Sequence, residues 1–307
     1  MLELLAGSPG ALIAFAAVVG LLVGSFLNVV IYRLPIMLER QWQEQELEQA
    51  ASAAAPANSA APAAAVDAPP AFNLIEPRSR CPACQAPIGA LHNVPLLSYL
   101  LLRGRCANCR ARISLRYPAV ELLCGLTTAI VAWKLGFGWA AACGMVVTWF
   151  LLALTFIDLD VQLLPDALTL PLLWLGLIAS LAGWGSSAHA LPSDPASAIS
   201  GAAIGYVSLW TVYQVFRLLT GKEGMGYGDF KLLAALGAWL GWQMLLPIVL
   251  LAAGVGAIVG IALIVLRRQE RGTPIPFGPF LAAAGWLAML WGPQLVTRYL
   301  GLFAPRG

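Results

Sequence analysis

The chain has 307 residues, of which 60% are hydrophobic and only 11% are charged, and its mean hydropathy is +0.79. A typical soluble domain is about 45–50% apolar and about 25% charged, so the composition excludes an ordinary soluble enzyme and indicates a protein mostly embedded in a membrane. The formal net charge of +3 gives no indication of a nucleic-acid partner.

Apolar runs close to the ~20 residues that span a bilayer predict an all-α polytopic membrane protein with about eight transmembrane helices. In chain order these runs are residues 10–32, 118–137, 138–157, 167–184, 197–219, 229–244, 245–266 and 279–301. The boundary between the sixth and seventh spans is placed at Leu245-Leu246-Pro247. The sequence thus predicts an anchor (1–33), a polar loop (34–117) and a transmembrane core (118–307).

The basic residues are concentrated on one side of these predicted spans. Of the 18 Lys and Arg residues, 15 lie in or beside segments 33–116, 217–231 and 267–271. By the positive-inside rule these segments are cytoplasmic, which places both termini outside. No basic residue precedes the first apolar run, and Arg33 and Arg40 follow it, so we expect a retained anchor and no cleavable signal peptide.

The polar loop divides into parts of different composition. An acidic, glutamine-rich run from Glu39 to Glu48 predicts a short amphipathic or surface helix. Residues 50–70 are almost wholly Ala, Pro and Ser, which predicts a flexible linker because little apolar surface offsets the entropy of ordering. Four prolines in it (Pro56, Pro62, Pro69 and Pro70) argue against a poly-alanine helix.

Two Cys-x-x-Cys pairs follow the linker, and they predict a four-cysteine zinc mini-domain over about residues 78–117. The four thiols belong to Cys81, Cys84, Cys106 and Cys109. Such pairs present four thiolates to one tetrahedral Zn²⁺, and four protein ligands leave no open position, so the zinc is expected to be structural. Disulfides, a redox pair, another metal, or His92 as a ligand are the alternatives; the reducing cytoplasm disfavours disulfides. Cys124 and Cys143 lie in apolar runs and are expected to be small core residues.

Two aspartates border the predicted spans where a carboxylate is costly. Asp158 ends the apolar run 148–157, and Asp229 opens the sixth span after the glycine-rich run 224–228. Two nearby carboxyls sharing one proton can hydrolyse an amide, because one activates water and the other polarises the carbonyl. The glycines Gly226 and Gly228 allow the backbone to approach a substrate closely. The sequence therefore predicts a membrane aspartyl protease, with N-capping by Asp229 as a simpler alternative.

Other charged residues lie near this predicted pair. Asp160 is expected to point away from Asp158, since it lies two residues further along a helix. Asp166 follows Pro165 and fits an N-cap of the fourth span. Lys222, Glu223 and Lys231 are candidates for steering a peptide or adjusting the aspartates.

These motifs together resemble the type IV prepilin peptidases, also called prepilin leader peptidase/N-methyltransferases. The resemblance covers nearly the whole chain and is carried by Gly24 to Pro35, both Cys-x-x-Cys pairs, Phe156 to Asp160 with Leu164-Pro165-Asp166, Gly221 to Lys231, and Gly272 to Pro279. The alanine/proline linker is longer than the resemblance leads one to expect.

The resemblance implies a bifunctional enzyme of the bacterial inner membrane. Such an enzyme would cut the basic leader from type IV prepilins and type II secretion pseudopilins after a glycine, on the cytoplasmic face. It would then methylate the new N-terminal residue, usually phenylalanine, with S-adenosylmethionine. Carried over by motif, Asp158 and Asp229 are catalytic. Asp160, Glu223 and Asp166 would attract the basic leader. The residues themselves define neither the S-adenosylmethionine site nor the oligomeric state.

Three rival functions fit parts of the pattern. The first is a Gly-x-Gly-Asp intramembrane protease of the presenilin or signal peptide peptidase type, disfavoured by the cysteine loop and the Phe156-Ile157-Asp158 motif. The second is a proton-coupled transporter that uses the same two aspartates, although the paired halves common in transporters are not visible. The third is a non-enzymatic assembly factor that binds substrate through the cysteine loop.

Overall fold

The computed structural model of the protein describes residues 2–54, 72–89, 94–183, 191–266 and 275–303. Its regular secondary structure is helical, and the cysteine loop is made mostly of turns and bends. Within these residues the only β-structure is two isolated bridges. The helices are α1 (Leu2–Gly7), α2 (Pro9–Ala54), α3 (Leu97–Leu101), α4 (Arg116–Leu135), α5 (Trp139–Val161), α6 (Asp166–Leu181), α7 (Pro195–Thr220), α8 (Tyr227–Leu240), α9 (Leu245–Val265) and α10 (Gly278–Phe303).

Each of the eight predicted spans corresponds to one helix, namely α2 and α4 to α10. Five of them, α2, α4, α5, α7 and the segment Trp242–Val265 that contains α9, are long and apolar enough to cross a membrane. Helix α6 and residues 278–292 of α10 are shorter apolar helices. The predicted fold class, an all-α polytopic membrane protein with a four-cysteine loop, is therefore confirmed.

The first helix differs from its prediction because it does not end before Pro35. Helix α2 continues for 46 residues, with Pro35 inside it. The predicted surface helix from Glu39 to Glu48 is thus the exposed continuation of the first span, and residues 50–54 of the predicted linker are also helical. Proline removes one backbone hydrogen bond without necessarily ending a long helix that neighbours support. Residues 55–70 of the linker lie outside the described residues.

Helix α8 lies at the centre of the bundle. All but one of the residues from Asp229 to Leu240 are buried, and Lys231 is partly buried. A helix that is apolar all round is buried on all sides; here α6, α7, α9 and α10 supply the covering surfaces. At 14 residues it is about 21 Å long, which is shorter than the roughly 30 Å hydrocarbon core.

Small residues bring α7 and α8 into direct backbone contact. A Cβ atom added to Gly201 would lie 2.3 Å from the carbonyl oxygen of Gly237, and one added to Gly205 would lie 2.8 Å from that of Leu233. Glycines let helix backbones approach closely in membrane proteins, where packing replaces the hydrophobic effect between helices. The crossing fixes the direction of α8 and hence the position of Asp229.

The boundary between the sixth and seventh spans lies earlier than predicted. Helix α8 ends at Leu240, Gly241 takes a left-handed φ of 80°, and a 3₁₀ turn covers Trp242–Met244. Helix α9 then begins at Leu245, so Pro247 lies in its first turn. Proline is tolerated there because the first turn has free N–H groups in any case. Gly241 was therefore the better signal for the break.

Candidate active site and metal centre

The two predicted aspartates lie at opposite ends of their helices but in the same buried region. Asp158 is in the last turn of α5 and is 5% exposed, whereas Asp229 is the third residue of α8 and is 7% exposed. The charge of Asp158 acts on Asp229, so the two carboxyls are close enough to interact electrostatically. The structure therefore brings together the pair that the sequence singled out.

Helix α10 contributes its N-terminus to this region. Helix α10 begins at Gly278, and the Gly278 backbone interacts with the Asp158 carboxyl. A Cβ atom added to Gly278 would lie 2.5 Å from Asp158 Oδ2. The free N–H groups and positive end of a helix dipole favour a negative charge at such a place. Both aspartates thus lie at helix N-termini, Asp229 at that of its own helix and Asp158 at that of α10.

Leu164 links the surroundings of the two carboxyls. Its Cβ would lie 2.6 Å from a Cβ added to Gly228, the neighbour of Asp229, and its Cδ1 would lie 3.2 Å from one added to Gly278. Gly228 and Gly278 therefore have no room for a side chain. Leu164 fills the space between the N-termini of α8 and α10 and sets their separation.

One oxygen of each carboxyl is buried without a partner. Among the described residues, neither Asp158 Oδ2 nor Asp229 Oδ1 has a hydrogen-bond partner. Buried polar atoms are nearly always paired, and the exceptions mark strain or a catalytic role. Two such oxygens on interacting carboxyls are suited to hold one shared proton and a water molecule, as amide hydrolysis requires.

The other acidic residues near the two aspartates are either ion-paired or exposed to solvent. Asp160 forms an ion pair with Arg116 at the start of α4. The Lys231 ammonium lies 2.6 and 2.7 Å from the two oxygens of Asp166. Glu223 is exposed in the turn between α7 and α8.

Two capping expectations are corrected by the structure. Asp166 is the first residue of α6 and not its N-cap; Pro165 holds that position, and no side chain caps the helix. Asp166 pairs with Lys231 instead. The N-cap of α8 is Gly226, so N-capping does not explain Asp229.

The glycines before Asp229 differ in their surroundings. A Cβ atom on Gly226 would meet nothing nearer than 3.8 Å, where Asp229 Oδ2 lies, so space is open beside this carboxyl. Gly228 packs against Leu164, and its lack of a side chain is explained by that packing. A close backbone approach to substrate therefore stays a prediction, with Gly226 the better candidate.

The sequence gives Gly278 and Leu164 no individual role. Both stood inside motifs that carried the family resemblance, Gly272 to Pro279 and Leu164-Pro165-Asp166, and these motifs were the available signal. The contact between Gly278 and Asp158 joins positions 120 residues apart, which no local pattern reveals.

The four loop cysteines form one cluster. The sulfur atoms of Cys81, Cys84, Cys106 and Cys109 all lie within 4.8 Å of one another, and all four are free thiols. Cys81 Sγ and Cys109 Sγ are 3.8 Å apart. A tetrahedral ion with Zn–S bonds of about 2.3 Å places its sulfurs about 3.8 Å apart, so the cluster could bind a metal ion of this kind. His92 lies outside the described residues.

The cluster is built from two copies of one turn. In each turn the N–H of the first cysteine donates to the carbonyl oxygen of an alanine five residues later, at 3.0 Å from Cys81 to Ala86 and 2.8 Å from Cys106 to Ala111. The carbonyl oxygen of the same cysteine accepts a hydrogen bond from the N–H of a residue with positive φ, which is Gln85 in the first turn and Arg110 in the second. An isolated bridge closes each turn, Arg80 with Pro87 and Arg105 with Arg112. The pattern Cys-x-x-Cys-x-Ala-x-Ile, which both turns share, is the signal in the sequence that indicates this repeat.

Hydrogen bonds in these turns favour the metal-binding thiolate form at two of the four cysteines, Cys84 and Cys106. The backbone N–H groups of Cys109 and Asn108 lower the pKa of Cys106 to about 6, and that of Ala86 lowers the pKa of Cys84. At Cys109 the Ala111 N–H has the same effect, but desolvation and the neighbouring sulfurs raise its pKa to about 11. A cation bound among the four sulfurs would offset the repulsion between neighbouring thiolates and so favour the thiolate form of Cys109 as well.

The cysteine loop is attached to the helices at two points. The buried Arg33 of α2 donates hydrogen bonds to the carbonyl oxygens of Asn73 (2.9 Å) and Pro77. The N–H of Leu96 donates to Glu121 of α4 (2.9 Å). Arg33 therefore has a packing role beyond the topological one that the sequence suggested. Cys124 and Cys143 are buried in the bundle as predicted.

The fold and the paired carboxyls define a class: a helical membrane protein with two buried, interacting aspartates. Two family profiles match the chain, the bacterial peptidase A24 N-terminal domain at residues 18–135 and the type IV leader peptidase family at residues 145–261. The chain belongs to the type IV leader peptidase family, in agreement with the resemblance found in its sequence.

Similar proteins cover almost the whole chain. A protein of Aeromonas hydrophila is 54% identical over 99% of both chains, one of Stutzerimonas stutzeri 53% over 97% of both, and one of Pseudomonas aeruginosa 50% over 98% of this chain and 97% of its own. Each is called "Prepilin leader peptidase/N-methyltransferase". No solved structure matches the chain significantly.

Proposed function

We propose that this protein is a membrane aspartyl endopeptidase that removes the leader of type IV prepilins and type II secretion pseudopilins and then methylates the new N-terminus. The observation that carries the proposal is the pair of buried, interacting carboxyls, Asp158 and Asp229, each with one unpaired oxygen. Membership of the family and the names of the relatives support the substrate class.

The hydrolysis needs only the two carboxyls and water. One carboxylate takes a proton from water, and the oxygen attacks the scissile carbonyl carbon while the other carboxylic acid donates a proton to the carbonyl oxygen. The tetrahedral intermediate then collapses, the C–N bond breaks, and the leaving amine takes a proton from the dyad. The N-terminus of α10 favours the negative form of Asp158, which is the form that can take a proton from water.

We place the reaction at the cytoplasmic face of the bacterial inner membrane. The basic segment 217–231, which the positive-inside rule assigns to the cytoplasm, leads into the start of α8 and Asp229. Arg116, at the end of the basic segment 33–116, pairs with Asp160 near the end of α5, where Asp158 lies. A prepilin has a basic leader before an apolar helix, so its scissile bond would reach this level. Of the acidic residues expected to attract the leader, Asp160 and Asp166 already pair with Arg116 and Lys231, which leaves Glu223.

We propose that the four loop cysteines hold a structural zinc ion. Their four sulfurs would complete its coordination, so the ion would supply folding free energy to the loop and no activated water. The methyl group would come from S-adenosylmethionine and pass to the amine released by cleavage. The amine would lose one proton, and S-adenosylhomocysteine would be the leaving group. Support for this second activity comes from the names of the relatives.

The test is mass spectrometry of a prepilin incubated with the purified protein, with and without S-adenosylmethionine. We expect cleavage after the leader glycine and a further methyl on the product. Asp158→Asn and Asp229→Asn should each abolish cleavage.

Asp160→Asn is the matched control. This variant should still cleave the prepilin, because the Asp160 carboxyl of the wild-type protein is paired with Arg116 and is not one of the two buried carboxyls. Undiminished cleavage by both dyad variants would overturn the dyad. An intact prepilin with wild-type protein would favour a transporter or an assembly factor. A cut inside the substrate's transmembrane helix would indicate a presenilin-like protease.

A further inference from the structure

The cysteine loop carries an unbalanced positive charge. Residues 78–116 contain seven arginines and no Asp or Glu, and all seven arginines are exposed. Among the described residues only Arg116 of these seven forms an ion pair, with Asp160. The six others (Arg78, Arg80, Arg103, Arg105, Arg110 and Arg112) therefore face solvent as a cationic surface.

Two of these arginines are held side by side. Arg105 and Arg112 are opposite each other in the antiparallel bridge that closes the second cysteine turn, whereas the first turn has Arg80 opposite Pro87. Like charges directly opposite in such a pair repel each other. An anion bound between the two guanidinium groups would turn this repulsion into attraction, and phosphate is the anion whose geometry their forked donors match.

The neighbouring surface is apolar. The short helix α3 exposes Leu97, Leu100 and Leu101, which are 53%, 71% and 74% exposed. Leu115 and Tyr117 are exposed at the start of α4, one of the helices long and apolar enough to cross a membrane. Apolar side chains beside exposed arginines are the pattern of a segment that lies in the interface between headgroups and acyl chains.

The attachment of the loop keeps this surface near the membrane. Residues 73 and 77 are hydrogen bonded to Arg33 of α2, and Leu96, next to α3, is hydrogen bonded to Glu121 of α4. Both helices are candidate membrane spans.

We propose that the Arg105–Arg112 pair is a binding site for the phosphate of an anionic phospholipid, and that the leucines of α3 enter the same leaflet. The site is separate from the two aspartates and does not depend on the proposed peptidase activity. It would fix the cysteine loop against the bilayer and orient it relative to the bundle.

The experiment uses the full-length protein in a nonionic detergent, titrated with dioctanoyl phosphatidylglycerol or dioctanoyl phosphatidylcholine, with bound lipid counted by native mass spectrometry. We expect the anionic lipid to bind at least about tenfold more tightly. Near an anionic surface each arginine contributes about a fivefold gain, so Arg105→Gln/Arg112→Gln should weaken phosphatidylglycerol binding about 30-fold.

The matched control, Arg78→Gln/Arg103→Gln, removes the same charge from the same loop but outside the bridge. It should weaken binding less than about fivefold; equal losses in the two double variants would overturn the paired site. Zinc content checks that the loop stays folded. If the glutamine variant loses zinc, Arg105→Lys/Arg112→Lys decides, because lysine keeps the charge without the forked geometry. Unchanged affinity in that variant would overturn the site.

Two further outcomes would reassign the surface. Displacement of phosphatidylglycerol by an equal concentration of inorganic phosphate would make it a free-phosphate site. If a short single-stranded oligonucleotide bound more tightly than phosphatidylglycerol, the surface would be a nucleic-acid surface. Amide hydrogen exchange of the protein in nanodiscs tests whether the leucines of α3 enter the leaflet. The amides of α3 should exchange more slowly in nanodiscs that contain phosphatidylglycerol than in nanodiscs of phosphatidylcholine alone. Equal exchange rates in the two kinds of nanodisc would contradict the insertion of α3.

Discussion

Replacing Gly278 by alanine should reduce catalysis and leave the fold intact. The new Cβ would lie 2.5 Å from Asp158 Oδ2, whereas ordinary van der Waals contact begins at 3.4 Å, so the carboxyl must retreat by about 0.9 Å. Misplacing a reacting group by about 1 Å can cost about 100-fold in rate, or about 2.7 kcal/mol in the barrier. The displaced atom is the end of a side chain, so folding is affected little.

The assay is the rate of prepilin cleavage by purified protein in detergent, measured over a range of substrate concentrations. We expect kcat to fall about 100-fold with a small change in KM, and the thermal unfolding temperature to stay within a few degrees of wild type. Gly254→Ala in α9 is the matched control, since its new Cβ would meet nothing within 4 Å. A normal kcat in a folded Gly278→Ala protein would refute the argument that this glycine positions Asp158.

Three further substitutions test other parts of the structure. Gly237→Ala places a Cβ 2.2 Å from the Gly201 carbonyl oxygen. Because the new atom meets backbone there, we expect the free energy of unfolding to fall by about 1–3 kcal/mol or more. An unchanged unfolding temperature in detergent would contradict the close crossing of α7 and α8. Cys81→Ser should release zinc, measured by elemental analysis, and a full complement of metal would contradict the four-sulfur site. Arg33→Gln leaves two backbone carbonyls without their charged donor, which costs about 1–3 kcal/mol and should speed proteolysis between residues 72 and 77; equal cleavage rates would show that Arg33 does not hold the loop.

The number of apolar helices could be predicted from the sequence because an apolar run near the length of a membrane span almost always forms a helix in a membrane protein. Their environment could not be predicted in the same way. Helix α8 is apolar on all sides, and that pattern is the same for a helix surrounded by lipid and one surrounded by protein. Pro35 was also misleading, since the effect of a proline depends on what supports the helix on either side of it.

The cysteine cluster was predictable because four ligands in two short motifs specify their own geometry. The surroundings of the aspartates were not, because they depend on contacts between distant residues. Asp166 follows a proline and reads locally as a cap, yet its carboxyl pairs with Lys231, 65 residues away. Likewise, a sequence shows that Asp160 is acidic but not that Arg116 already neutralises it.

The sequence by itself determined the membrane class, the eight apolar helices, the four clustered thiols and the identity of the two candidate aspartates. These follow from hydrophobicity, spacing and residue chemistry, which are local properties of the chain. Only the tertiary structure decided that α8 is the central helix, that the N-terminus of α10 lies against Asp158, and that Leu164 sets the separation beside both carboxyls. Those features arise where glycines let distant backbones approach to within contact distance, and such contacts exist only once the helices have packed together.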